Sequence, residues 1–150
     1  MMNKKLAIGC DHGGVELKNY LISKLEEKGY ELIDCGTYTT DSVHYPIYSF
    51  KVAELVSKNE CDKGIIICRS GEGVSIAANK VKGIRCGIAY NNDVSRLMVE
   101  HNNANMIALG ADFMTKEEGL ERVLIFLNSS FAGGKHQIRV NLISDYENKH

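Results

Sequence analysis

The run KGIIICRSGEGVSIAANK, residues 63–80, decides the fold. After Lys63 it is apolar without alternation up to Cys68, as expected of a strand covered on both faces. Arg69 to Gly73 then break the run with two glycines, and helical spacing takes over from Val74 to Lys80. The same alternation extends in both directions. KLAIGC, residues 5–10, is followed by helical periodicity from Val15 to Lys28, and ELIDCG, residues 31–36, by a helix from Pro46 to Ser57. Downstream come RCGIAY, residues 85–90, a helix from Asp93 to Glu100, and ANMIALG, residues 104–110. The order βαβαβαβαβ predicts a three-layer α/β/α doubly wound sandwich, Rossmann- or flavodoxin-like, with a five-stranded parallel sheet.

Leu17, Leu21 and Leu25 recur every four residues and give the first helix its core stripe, with Lys18, Lys24, Glu26 and Lys28 falling largely elsewhere. Thr115 can cap a later helix while Glu118 reaches back, and Leu120, Val123, Leu124 and Leu127 form its buried face. Beyond Gly133 and Gly134 lies an extra C-terminal helix with Ile138, Leu142 and Tyr146 on one side. Little sheet remains for it to cover, so a second subunit is its expected partner.

With 150 residues and no long linker, internal repeat or low-complexity tract, one domain spanning residues 1–150 is expected. The 18 Lys and Arg against 19 Asp and Glu leave a formal charge of −1, which argues against nucleic acid or an acidic membrane surface as partner. No apolar stretch approaches the roughly 18 residues of a membrane span. The opening MMNKKLAIGCDHGG is interrupted by Asp11 and His12 and does not read as an export signal. Cys10, Cys35, Cys61, Cys68 and Cys86 are odd in number and form no CxxC pair, a pattern of free thiols in a reducing cytoplasm. The histidines make no i,i+4 pair and no metal-ligand spacing with them.

In a sheet of this kind ligands sit beyond the carboxyl ends of the strands, where successive connections leave to opposite faces. In the flavodoxin strand order that crevice lies between the first and third strands. Asp11 and His12 leave the first, and Cys68, Arg69 and Ser70 leave the third. Gly71 and Gly73 precede a helix, so their backbone N–H groups can turn toward a negative oxygen. A cysteine at a strand end is most often a small buried hydrophobe. Here the helix N-terminus and Arg69 are expected to favour its thiolate form, which suits proton transfer. A Cys-x5-Arg phosphatase cradle is excluded because position 74 is Val74. Lys135 and Arg139, four apart, share a helix face that is either solvated or a phosphate clamp.

GCDHGG near the start, the YP of Tyr45–Pro46, CxSGxGVSIAANK, GIR, EHNNAN and GGKHQIRV occur in that order over nearly the whole chain. Together they resemble the ribose-5-phosphate isomerase B family, which includes the allose-6-phosphate and galactose-6-phosphate isomerases. The resemblance implies an aldose–ketose isomerase that passes through an enediolate without metal or organic cofactor. It implies Cys68 as the base between C1 and C2, with Ser70 and the backbone of Gly71 and Gly73 at the oxyanion. Asp11 would bind sugar hydroxyls and, with His101, assist ring opening. His12, Lys135 and Arg139 would hold the phosphate, and Tyr45 and Asn102 would line the sugar site. A glutamate base used by some members has no counterpart, since that position is Val74. The family's sites lie between two subunits, so a homodimer or dimer of dimers is implied.

Three positions depart from the family pattern. Arg69 stands where glycine is common, Lys135 where arginine is frequent, and Asp112, in GADF, where many members carry a basic residue. Arg69 is therefore counted among the substrate-binding residues, either offsetting Asp112 or reshaping the pocket. The expected substrate is ribose 5-phosphate. The same reaction on a tetrose or hexose phosphate is the nearest rival, and a flavodoxin-like module that binds a phosphometabolite without turnover is the rival from another class.

Overall fold

A computed structural model describes residues 3–150. Met1 and Met2, the first residues of the stretch read against an export signal, lie outside the described residues. The elements follow the expected alternation: β1 (Lys5–Cys10), α1 (Val15–Glu27), β2 (Glu31–Asp34), α2 (Tyr45–Ser57), β3 (Lys63–Cys68) and α3 (Glu72–Ala78). They continue with β4 (Cys86–Ile88), α4 (Asn92–Glu100), β5 (Met106–Gly110), α5 (Lys116–Asn128) and α6 (Lys135–Lys149).

All strand pairs are parallel, in the order β2-β1-β3-β5-β4. The flavodoxin order would seat β4 beside β3, and here β5 takes that place. Burial explains the exchange. MIALG of β5 is buried throughout, whereas the three residues of β4 are half-buried, and a parallel sheet keeps its most apolar strands central. The β1–β3 neighbourhood on which the crevice was placed is unaffected.

Residues alternate between two cores, as the pleat requires. Leu6, Ile8, Ile65, Ile67, Ile107 and Leu109 pack with the faces of α1 and α5. Ala7, Ile66, Cys68, Met106 and Ala108 pack with α2 and α3. The capping box of Thr115 and Glu118 opens α5 as expected. Its fully buried face is carried by Val123, Phe126 and Leu127, with Leu120 and Leu124 only partly buried.

One side chain departs from the amphipathic reading of α1. Leu17, Leu21 and Leu25 are buried as expected, but Lys18 is also fully buried. Its Nζ reaches both Asp34 carboxylate oxygens at 2.8 and 2.7 Å. Asp34 Oδ1 also accepts the Gly36 N–H at 2.9 Å, and the Tyr38 ring lies 5.0 Å from the amine. The pair thus ties α1 to the loop leaving β2.

The helix α6 stands apart from the sheet. Val140 is its one buried residue among the described residues, while Ile138, Leu142, Ile143 and Tyr146 are exposed.

Removing one partner of a buried ion pair leaves the other uncompensated, which typically costs about 3–5 kcal/mol. Asp34→Ala is expected to approach that loss in urea unfolding, because it strands the fully buried Lys18 ammonium. Lys18→Met, which removes the buried charge and keeps the volume, is expected to lose markedly less.

Candidate active site

The β1 and β3 connections leave to opposite faces, into α1 and α3 respectively, so a crevice opens between their carboxyl ends. Cys68 closes β3, with its side chain on the α2–α3 side and 6 % exposed. Burial alone would suit an ordinary core thiol. Its Sγ, however, accepts the Gly71 N–H at 3.1 Å, at the head of α3, which ties the sulfur to the glycine loop.

Glycine is required at 71 on two counts. Its φ is +81°, and a Cβ there would lie 3.1 Å from the Leu109 carbonyl carbon. Gly110 is tighter still, since a Cβ would come within 2.5 Å of the Ser70 carbonyl oxygen. The glycine loop is thereby pressed against the end of β5. Ser70 Oγ accepts the Glu72 N–H at 3.2 Å, which leaves its hydroxyl proton to be donated elsewhere. Gly73 lies under Tyr45, whose ring carbons stand 2.7 Å from where a Cβ would be. On the far side of the loop a cavity of about 510 Å3 is lined by Ser70, Glu72, Tyr90, Phe113 and Arg122.

From β1, the Asp11 N–H donates to the Ile67 carbonyl at 3.0 Å, and its buried carboxylate accepts the Gly13 N–H at 2.9 Å. His12 Nδ1 accepts the Val43 N–H at 3.2 Å. A ring nitrogen that accepts carries no proton, so the Nε2 of the neutral ring holds it. Asp11, His12, Tyr45, Cys68, Ser70, Gly71 and Gly73 are thus assembled at one edge. Arg69, expected beside the thiolate, leans away. Its chain crosses over Gly13, and Nη1 lies 3.5 Å from Asp112 Oδ1.

His101, Asn102, Lys135 and Arg139 are brought together elsewhere. His101 caps the end of α4, and Asn102 leads toward the start of β5, where its carbonyl accepts from Arg85 Nε at 3.0 Å. Within one chain this group therefore lies at the amino edge of the sheet. Cys68 registers with Gly110 at the other end of β5, roughly 13 Å of extended backbone away. The expected partnership of His101 with Asp11 is not made within a single chain, because they occupy opposite edges.

The His101 ring stacks on His136, with centroids 4.2 Å apart and planes within 12°. Desolvation, then the charges of His101, Lys135 and Arg139, hold His136 below the ordinary histidine value. Neither Lys135 nor Arg139 has an ion-pair partner among the described residues. The cluster is cationic and open. His136 was not among the residues expected at the site, although its place between Lys135 and Arg139 in GGKHQIR was the available signal.

Residues 6–143 match the family model described as Ribose/Galactose Isomerase. The ribose-5-phosphate isomerase B of Escherichia coli is 41 % identical, over 97 % of this chain and 98 % of its own. The solved ribose-5-phosphate isomerase B of Clostridium thermocellum is 46 % identical with a TM-score of 0.95, covering 97 % of this chain and 98 % of its own. The enzyme of that name from Mycoplasma genitalium, solved with bound ribulose-5-phosphate, is 37 % identical with a TM-score of 0.95 and covers 100 % of both chains.

Because desolvation and then the neighbouring cations depress His136, it stays neutral to lower pH than a free histidine and charges only below that range. An anion held by the cluster reverses the sign. NMR titration of the His136 ring is expected to show a low midpoint without ligand and an upward move when inorganic phosphate is added.

Proposed function

The chain belongs to the ribose/galactose isomerase family, and from that premise we propose that it interconverts ribose 5-phosphate and ribulose 5-phosphate. The observation that carries the chemistry is the Gly71 N–H on Cys68 Sγ at the β1–β3 switch point. A module that merely bound a phosphometabolite would have no use for a thiol held in this way.

Cys68 as thiolate takes the proton from C2 of the open-chain aldose. The C–H electron pair becomes the C1=C2 bond of the enediolate, and charge develops on O1. The Ser70 hydroxyl and the N–H groups of the first turn of α3, Gly73 among them, serve that oxygen, since no preceding carbonyl of the helix takes them. The thiol returns the proton to C1, while the C2 hydroxyl proton passes to O1 and leaves a ketone at C2. Asp11, with one carboxylate oxygen fixed by Gly13, receives sugar hydroxyls, and Tyr45 covers the glycine loop. His12 presents an Nε2 proton to the phosphate end.

His101, Asn102, Lys135 and Arg139 join this site from a second subunit. Two lines of geometry support the dimer. The two residue groups sit at opposite edges of one sheet, and a two-fold axis brings each group to the other copy's complement. The exposed Ile138, Leu142 and Tyr146 of α6 also need cover, and Tyr45, Ile47, Phe50 and Ile76 offer exposed apolar surface on α2 and α3, flanking Cys68. The enzyme acts as one folding unit over residues 1–150 in the reducing cytoplasm, in keeping with its five free thiols.

Cys68→Ala is expected to lower isomerisation of ribose 5-phosphate by about 10²–10⁴-fold or more with the fold intact by circular dichroism. Unchanged turnover would remove Cys68 from the mechanism. Mixing inactive Cys68→Ala with inactive His101→Ala, then allowing subunits to exchange, tests the shared site. Half the dimers become mixed, each with one intact site, and activity recovers to about a quarter of wild type. No recovery after demonstrated exchange would place both residues in one chain's site.

A further inference from the structure

We propose that Arg69 joins His12 as a substrate-phosphate ligand from the same subunit as Cys68, and that Asp112 pairs with its guanidinium and competes with the phosphate for it. This inference rests on the isomerase reading above and deepens it by assigning a phosphate contact and its competitor.

Side-chain direction is the first observation. Cys68 points into the α2–α3 core, so the next residue along the chain emerges on the opposite side of the strand end. There Arg69 passes over Gly13, where a Cβ would lie 2.6 Å from Arg69 Cγ, so the crossing depends on glycine. Gly13 directly follows His12, so the Arg69 stem crosses the backbone next to that histidine.

Charge is the second. The residues leaving the carboxyl ends of the five strands include Asp11, His12, Thr37, Tyr38, Arg69, Ser70, Tyr90 and Asp112. Arg69 is the one permanent cation among them. Lys116, a little further on, has its amine 5.2 Å from the Tyr20 ring. Arg122, which also reaches this edge, is buried and engaged by the Ala89 carbonyl and Glu118, so Arg69 is the exposed guanidinium that a dianion meets beside Gly13.

The third is the weakness of the existing pair. Arg69 and Asp112 side chains are 61 % and 46 % exposed, at 3.5 Å, and an exposed single-contact pair is worth about 0–1 kcal/mol. A phosphate oxygen pair offers the guanidinium a bidentate, doubly charged partner instead. The backbone does not have to move for the exchange, because the Asp112 N–H stays bonded to the Arg69 carbonyl at 3.0 Å. The two departures from the family pattern at 69 and 112 thereby become one device.

The test reads phosphate affinity and activity separately. Inorganic phosphate is titrated calorimetrically into the wild-type protein, Arg69→Ala, Arg69→Lys and Asp112→Asn, and KM and kcat for ribose 5-phosphate are measured in parallel. Arg69→Ala is expected to weaken phosphate binding by about tenfold or more, with the loss falling mainly on KM, and Arg69→Lys to restore part of it. Asp112→Asn, which frees the guanidinium, is expected to tighten phosphate by about two- to fivefold. Opposite signs are the signature, since a purely structural strut would be damaged alike from either end. Unchanged phosphate affinity in Arg69→Ala overturns the proposal, as does an Asp112→Asn protein that binds phosphate no better than wild type. A wild-type protein that binds phosphate in this Arg69-dependent way but isomerises no pentose phosphate would instead overturn the isomerase reading alone.

Discussion

The contact on which the site depends is the pressing of the Ser70–Gly71 backbone onto the end of β5. A methyl group at 110 would collide with the Ser70 carbonyl, and one at 71 would crowd Leu109 in a left-handed conformation. Both are backbone-to-backbone approaches, so no rotamer can relieve them. The contact exists only because β5 is the neighbour of β3, the feature in which this sheet departs from the flavodoxin order. Strand order thus sets the height of the glycine loop. The loop's height in turn aims the Gly71 N–H at Cys68 Sγ.

A second constraint fixes the other wall of the crevice. The Lys18–Asp34 pair binds α1 to the residues leaving β2, and the same loop returns to β1, where Gly36 and Thr37 exchange hydrogen bonds with Cys10 at 2.7 and 2.8 Å. Cys10 immediately precedes Asp11. A buried charge pair adds little net stability over an apolar pair of equal volume, but its directional bonds specify one loop position. Burial pushes Cys10 up to about 11 and Cys35 to about 11, which keeps these neighbouring thiols protonated and packed as apolar groups.

Most of this architecture was legible because its signals are local. Strand, turn and helix follow from runs such as KGIIIC and from periodicities such as Leu17, Leu21 and Leu25, and the cap of α5 from Thr115 and Glu118. The β4–β5 exchange was not, because lateral order depends on comparing the burial of two strands that each read simply as apolar. Lys18 was misread for a related reason. A lysine one position off the leucine stripe looks solvated unless its carboxylate partner, sixteen residues away, is known to face it. Of the site, Asp11, Cys68 and the glycines followed from the switch-point rule, whereas the separation of His101 from Asp11 follows from which end of β5 each residue approaches. Arg69 was linked to Asp112 by charge alone as one of two readings, and it takes the structure to show that the two side chains meet at 3.5 Å.

That separation determines how the two halves of the chemistry are linked on the shared-site reading. On that reading one edge of the sheet carries the base and oxyanion donors, and the opposite edge gathers Lys135 and Arg139 around the stacked His101 and His136, where desolvation and then the neighbouring charges hold His136 below the ordinary histidine value. Neither half is complete alone, and the cationic half is strained electrostatically until an anion arrives. In the proposed dimer, association through α6 would join them twice over, once at each symmetry-related site, so that apolar surface bare on one chain would be covered by the same step that completes the site. Substrate bridging the halves contributes in turn to holding the subunits together, because any ligand that binds only the assembled state stabilises it. The phosphate, remote from the reacting carbons, is then both the handle that positions C1 and C2 over Cys68 and the charge that quiets the cluster across the interface.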